Sequence, residues 1–94
     1  MENATRAVKL SVPEGLHMRP CSLLQQAAAA FPGSVKLSTD GREADVKSIF
    51  DLLALGMAPG DEGELSAEGD GAGALIAALG RMFDTDFEGD DASD

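Results

Sequence analysis

The sequence predicts an α/β (α+β) open-faced sandwich of order βαββαβα, with a four-stranded, mostly antiparallel sheet and three helices on one face. Three observations carry this expectation. Short runs of apolar residues alternate with period two, as half-buried strands do. Between them lie segments whose apolar residues recur at three and four positions, as amphipathic helices do. An Asp-Gly pair between the second and third alternating runs marks a tight hairpin, which forces its strands to be antiparallel.

Between Arg6 and Val12, the residues Val8, Leu10 and Val12 alternate with Lys9 and Ser11, predicting a first strand with one buried face. Pro13-Glu14-Gly15 ends it. From His17 to Phe31 the period lengthens: Leu24, Ala27, Ala28 and Phe31 share a helix face, and the alanine run favours helix intrinsically. With His17 as the capping residue, Pro20 falls in the first turn, where its missing N–H costs no intrahelical bond. Pro32-Gly33 stops the helix. Val35 and Leu37, then Ala44 and Val46, form the two arms of the hairpin around Asp40-Gly41. Ser48 opens a short apolar helix, Ile49 to Leu55, closed by Gly56. After the turn at Pro59-Gly60, a fourth strand runs from Glu62 to Glu68 with Leu65 and Ala67 inward. Gly69 to Gly73 is a loop, and Ala74, Leu75, Ala78, Leu79 and Met82 mark a last helix.

With 94 residues the chain has room for one small domain, expected over residues 1–83. From Asp84 onward there are six acids (Asp84, Asp86, Glu88, Asp90, Asp91 and Asp94) and no base, so residues 84–94 read as a solvated acidic C-terminal tail. The formal net charge of -10 argues against a nucleic-acid partner, because phosphate backbones demand Lys and Arg. A single cysteine cannot form an internal disulfide, MENATRAVKL holds no signal-peptide core, and no apolar run could span a bilayer. A soluble cytoplasmic protein without membrane insertion is therefore expected, and it is taken as a monomer.

His17 is the one histidine, set in GLHMRP at a loop-to-helix junction, with Arg19 two residues on. A helix N-terminus presents unpaired N–H groups and partial positive charge, which suit a phosphate. Arg19 would add a permanently charged planar fork to phosphoryl oxygens. An imidazole has a free lone pair near neutral pH and needs no general base to act as a nucleophile. Taken without further context, the preferred reading is the plainer one, with His17 a tolerable helix cap and Arg19 a solubilising charge. Ser48 is a preferred helix cap, with Asp51 as an imperfect capping-box partner, or else a phosphorylation site whose charge would alter docking nearby. Ile49, Phe50, Leu52, Leu53 and Leu55 exceed one buried stripe of so short a helix, so some should face a partner. Cys21 shares a helix face with His17; it reads as a small packing residue or, less simply, as a reactive thiolate. One His and one Cys fall short of a four-ligand set, so neither metal nor cofactor is expected. The stretch GDGAGA lacks the Lys of a phosphate loop and reads as a turn.

Three blocks resemble the HPr family of histidine phosphocarriers of the phosphoenolpyruvate-dependent sugar phosphotransferase system. GLHMRP is similar to the family's active-site GLHARP, KSIFDLLALG to its second segment, and GDEGELSAEG to the following strand and turn, in the right order over roughly Arg6 to Phe83. The resemblance implies a carrier, not an enzyme. His17 would accept a phosphoryl group through Nδ1 from enzyme I and pass it to an enzyme IIA-type domain, with Arg19 stabilising the phosphohistidine. Ser48 matches the serine phosphorylated by HPr kinase/phosphorylase, while Met18, Ile49, Phe50 and Leu53 would line the docking surface. Met18 and Cys21 replace residues that are commonly alanine, and Asp51, Gln26 and Ala29 remove charge from a rim that is basic in several relatives. The alternative within this resemblance is a regulatory HPr-like protein, in carbon or nitrogen control, governed by Ser48 and without a sugar-transport role. A thiol-dependent redox or metal protein built on Cys21 and His17 is a third reading.

Overall fold

The computed structural model describes residues 1–88. Its elements run β1 (Asn3–Lys9), α1 (Met18–Ala28), β2 (Ser34–Thr39), β3 (Arg42–Asp45), α2 (Ile49–Leu55), β4 (Glu62–Glu68) and α3 (Ala72–Asp84). This is the predicted βαββαβα order. The four strands form one sheet in the order β1-β4-β2-β3, and every neighbouring pair is antiparallel.

The strand pairing explains where β1 lies. It pairs with β4 along its whole length, from Asn3 opposite Glu68 to Lys9 opposite Glu62, so the sheet begins three residues before the apolar alternation does. Leu10 is fully buried but lies past the strand end, held by bonds from its N–H to the Asp61 carbonyl (2.9 Å) and from Gly60 N–H to its own carbonyl (2.7 Å). Arg6 occupies a helix-facing position that an apolar count passes over. Its side chain lies along Gly80 of α3 and reaches Asp84 at 2.6 Å.

In the hairpin, Asp40 (φ 52°) and Gly41 (φ 77°) both take left-handed conformations, the two-residue turn that matches strand twist. Glycine meets that demand without strain, and aspartate is among the few other residues that do so readily.

One core lies between the sheet and the helices. Val8, Leu10, Val35, Leu37, Ala44, Val46, Leu65 and Ala67 come from the sheet side; Leu24, Leu52, Leu55, Ile76, Leu79 and Phe83 come from the helices. Two helical stripes differ from their predicted composition. In α1, Cys21 joins Leu24 and Ala28 inside while Ala27 is exposed, and the helix stops at Ala28 before buried Phe31. In α3 the inner face is Ala72, Ile76, Leu79, Gly80, Met82 and Phe83, with Ala74 outside. Alanine fits either side of a helix, so the large residues Ile76 and Phe83 set the rotation.

Cations close two helix ends. Lys47 Nζ donates to the Phe31 carbonyl at 2.5 Å just beyond α1, and Arg42 Nη1 donates to the Leu55 carbonyl at 2.5 Å at the end of α2. The Arg42 contact complements the negative end of the α2 dipole, and the Lys47 contact fastens the segment that follows α1. At the other end of α3, the Glu2 carboxylate accepts from Gly71 N–H (2.9 Å) and Gly73 N–H (2.8 Å), capping a helix that begins at glycine.

The chain does not leave the fold at Asp84, where the acidic tail is expected to start. Phe87 N–H donates to the Met82 carbonyl (2.8 Å) and Asp86 N–H to the Phe83 carbonyl (3.2 Å), a Schellman ending with Asp86 in the left-handed conformation (φ 54°). This ending turns Phe87 back into the core, where it is fully buried and meets Phe83 edge-on with ring centroids 5.1 Å apart. Of the tail acids, Asp90, Asp91 and Asp94 lie outside the described residues. No helix among the described residues is long and apolar enough to cross a membrane.

Candidate functional site

The site is built on the loop that feeds α1. Gly15 is buried with φ +74°, and a Cβ there would come within 2.8 Å of the Met57 carbonyl. That same carbonyl accepts from Leu16 N–H at 3.0 Å, so the loop is fastened to the segment leaving α2. Leu16 is buried beneath it. The next residue, His17, is therefore delivered to the surface with a fixed backbone direction.

His17 is the N-cap residue of α1, with an extended backbone (φ -93°, ψ -170°), and its carbonyl accepts the first helical bond from Cys21 N–H at 3.1 Å. Its side chain makes no capping bond to the helix. The imidazole faces the loop instead: Nε2 lies 3.0 Å from Glu14 Oε1 and Nδ1 lies 3.2 Å from the Gly15 carbonyl. About a third of the side chain is accessible. Pro20 occupies the first turn of the helix and is buried, so the turn is anchored at a position that needs no N–H donor.

Arg19 is exposed on the same first turn, and its Nη2 donates to the carbonyl of Phe87 at 3.0 Å. The guanidinium is thus tied to the segment that follows α3, a contact across 68 residues of chain. Met18 is 55% exposed on the first turn of α1 and Phe50 is 82% exposed on the first turn of α2, two large apolar side chains open to solvent on helices that pack against each other. Ile49 and Leu53 are half-buried against the core and show only part of their surface.

Ser48 is the N-cap of α2: its Oγ accepts from Asp51 N–H at 3.2 Å. The capping box is not closed, because the Asp51 carboxylate accepts from Asp45 N–H (3.3 Å) instead of returning to Ser48 N–H. Ser48 N–H donates to the Asp45 carbonyl at 2.9 Å.

Cys21 is fully buried below the site, with Sγ 3.6 Å from the Leu16 carbonyl, and burial pushes its thiol up to about 11. A group held in its neutral form makes a poor nucleophile or metal ligand, which favours packing over the thiolate reading. Among the described residues no group of three or more His, Cys, Asp or Glu side chains is placed to hold a metal ion.

Two residues of this neighbourhood are missing from the sequence-based set. By sequence alone Glu14 is only part of a turn, and Phe87 part of the acidic tail. The Glu-Gly-Leu-His spacing is a signal for the first, since three residues around a tight loop can return a carboxylate to the ring. For Phe87, the signal is an isolated aromatic residue among acids.

Residues 4–85 match the family described as the PTS HPr component phosphorylation site. The chain is 34% identical over 83 residues to the phosphocarrier protein HPr of Treponema pallidum, covering 88% of this chain and 94% of that one. It is 34% identical over 76 residues to a multiphosphoryl transfer protein of Xanthomonas campestris, covering 81% of this chain and 9% of that much longer protein. Its fold superposes on the histidine-containing phosphocarrier protein of Mycoplasma with a TM-score of 0.83 at 28% identity, covering 88% of this chain and 96% of that one. With a family match over nearly all of the described chain, and this fold beneath it, the protein belongs to the HPr family of phosphotransferase-system phosphocarriers.

Proposed function

We propose that the protein is a carrier in sugar phosphotransferase transport, taking a phosphoryl group on His17 from enzyme I and passing it to an enzyme IIA-type domain. The observation that carries this reading is the state of the His17 side chain. It stands at the N-cap of α1 without capping the helix, part-exposed, with Arg19 on the following turn. Nδ1 attacks phosphorus while the bond from phosphorus to the donor breaks, and the electron pair of that bond stays with the donor. Little covalent machinery is needed, because phosphoryl transfer depends on positioning and charge stabilisation. Arg19 supplies the charge, and the N-terminal end of α1 adds to it.

Transfer takes place between proteins, so no small-molecule pocket, metal or cofactor enters the scheme. The protein acts as a cytoplasmic monomer and turns over no substrate of its own. Met18 and Phe50, with the accessible parts of Ile49 and Leu53, form the apolar surface that partners cover. The occurrence of a similar stretch inside a multiphosphoryl transfer protein supports a place in a chain of phosphoryl transfers.

Incubation with enzyme I and phosphoenolpyruvate should give an acid-labile phosphate on the wild type and none on His17→Ala. Equal labelling of the two proteins would overturn the assignment. Ser48 is the regulatory position in this reading: a phosphate on its Oγ, at the N-terminus of α2 and next to exposed Phe50, adds negative charge where partners dock. Acid-stable labelling of Ser48 by a kinase and ATP, with no label on His17, would instead favour the regulatory reading without sugar transport.

A further inference from the structure

The environment of the His17 ring is asymmetric, and the asymmetry has chemical content. One nitrogen faces a full negative charge, Glu14 Oε1 at 3.0 Å from Nε2. The other faces a neutral carbonyl, Gly15 O at the longer distance of 3.2 Å from Nδ1. A neutral imidazole has one N–H and can satisfy only one of them. Placing the hydrogen on Nδ1 would aim the Nε2 lone pair at a carboxylate, a lone pair against a formal charge. Placing it on Nε2 makes a charge-assisted bond and leaves the Nδ1 lone pair beside a dipole, the smaller repulsion.

We propose that Glu14 is a positioning residue for His17: its carboxylate holds the hydrogen on Nε2 and thereby directs phosphoryl transfer to Nδ1. The inference rests on the reading of His17 as the phosphoryl acceptor. When the Nδ1–phosphorus bond forms, the Nδ1 lone pair is used and Nε2 keeps its hydrogen, so positive charge develops on the ring beside the Glu14 carboxylate. This is the role that a buried aspartate plays for histidine in hydrolytic triads, fixing the tautomer and stabilising the imidazolium. Nδ1 cannot accept phosphorus while it faces the Gly15 carbonyl, so the ring must turn about its Cβ–Cγ bond. The Glu14 side chain is exposed and so is not fixed by packing; a directing role requires its carboxylate to stay with Nε2 through that rotation. The exposed pair adds little to fold stability. Its effect falls on which nitrogen carries the proton.

The test uses the full chain with 15N-labelled histidine, as wild type, Glu14→Gln and Glu14→Ala. In alkaline buffer, the nitrogen shifts of wild type should show a larger Nε2–H share than those of Glu14→Ala, by about three- to fivefold in the tautomer ratio, the scale of an exposed ion pair. Glu14→Gln retains an acceptor oxygen and should fall between them. Phosphoramidate then serves as a chemical phosphoryl donor: the Nδ1 lone pair takes phosphorus, and the phosphorus–nitrogen bond of the reagent breaks with release of ammonia. The 31P spectrum should show Nδ1 product in wild type and a growing share of Nε2 product in Glu14→Ala. Identical tautomer ratios and product ratios in wild type and Glu14→Ala would overturn the role of Glu14 while leaving His17 as the acceptor. A shifted tautomer ratio with no phosphorylation of His17 in any variant would overturn the acceptor reading, and with it the directing role.

Discussion

The guanidinium of Arg19 donates to the main-chain carbonyl of Phe87 at 3.0 Å, joining the first turn of α1 to the segment beyond α3. The carbonyl is held in place because the Phe87 ring is fully buried against Phe83 and its N–H is bonded to Met82.

Phe87→Ala therefore removes both a core residue and the anchor of that carbonyl. Loss of a buried phenyl ring costs about 3–5 kcal/mol. Urea unfolding should register that loss, while Phe87→Leu should recover much of it. At temperatures where both variants stay folded, Phe87→Ala should also shorten the lifetime of the phosphohistidine relative to Phe87→Leu, since Arg19 is then less well placed. Equal lifetimes would show that the anchor does not matter to the phosphorylated state.

Ser48 separates capping from charge. Ser48→Ala leaves Asp51 N–H without its acceptor and should cost about 1 kcal/mol in thermal or urea unfolding. Ser48→Asp keeps a good capping side chain and places negative charge beside Phe50, so it should hold wild-type stability while weakening transfer with partner proteins. A Ser48→Asp protein that exchanges phosphoryl groups at the wild-type rate would remove Ser48 from the regulatory scheme.

Glu2 gives the fold an acid-sensitive tie. Bonds from Gly73 N–H and then Gly71 N–H hold its carboxyl below the ordinary value of 4.5. A depressed folded value means that the stabilisation is complete above 4.5 and is lost as pH falls through the folded value. The stability difference between wild type and Glu2→Gln should therefore be present at neutral pH and shrink in acid. Parallel pH–stability curves would contradict this.

Cys21 acts in the opposite pH range. Its thiol ordinarily ionises near 9.0 and burial raises this to about 11, so the folded state favours the neutral form. That contribution is whole below 9.0 and is lost as pH rises through about 11, because the unfolded thiol ionises first. Wild type should lose stability relative to Cys21→Ala across that window. Below it, the native thiol should react with iodoacetamide far more slowly than the same thiol in urea.

Elements bounded by local punctuation were legible in the sequence. Ser48 before α2, Gly56 after it and Asp40-Gly41 in the hairpin each act through their own backbone preferences, and each stands where it was expected. Features that depend on distant partners were not. β1 begins at Asn3 because β4 continues to Glu68, which no residue near Asn3 announces. The rotation of α3 was obscured by alanines that suit either face. Phe87 was hidden because the left-handed position that turns it inward carries Asp86 where glycine is the usual sign. At the site, His17 and Arg19 were readable from a motif. The Glu14 contact depends on how Gly15 bends the loop, and the Phe87 contact on a helix from the far end of the chain.

The way the cations are used bears on how fast partners find this protein. Of the seven Lys and Arg residues, Arg6 pairs with Asp84 and Lys36 with Glu43, while Arg42, Lys47 and Arg19 donate to the main-chain carbonyls of Leu55, Phe31 and Phe87. With 17 acids against seven bases, the net charge of -10 makes the far field negative. An acidic partner thus approaches against a repulsive potential, and in the proposed scheme recognition would fall to short-range apolar contact at the exposed Met18 and Phe50. For such a partner, added salt should speed the encounter by screening that repulsion, the reverse of the salt response of a carrier with a basic rim.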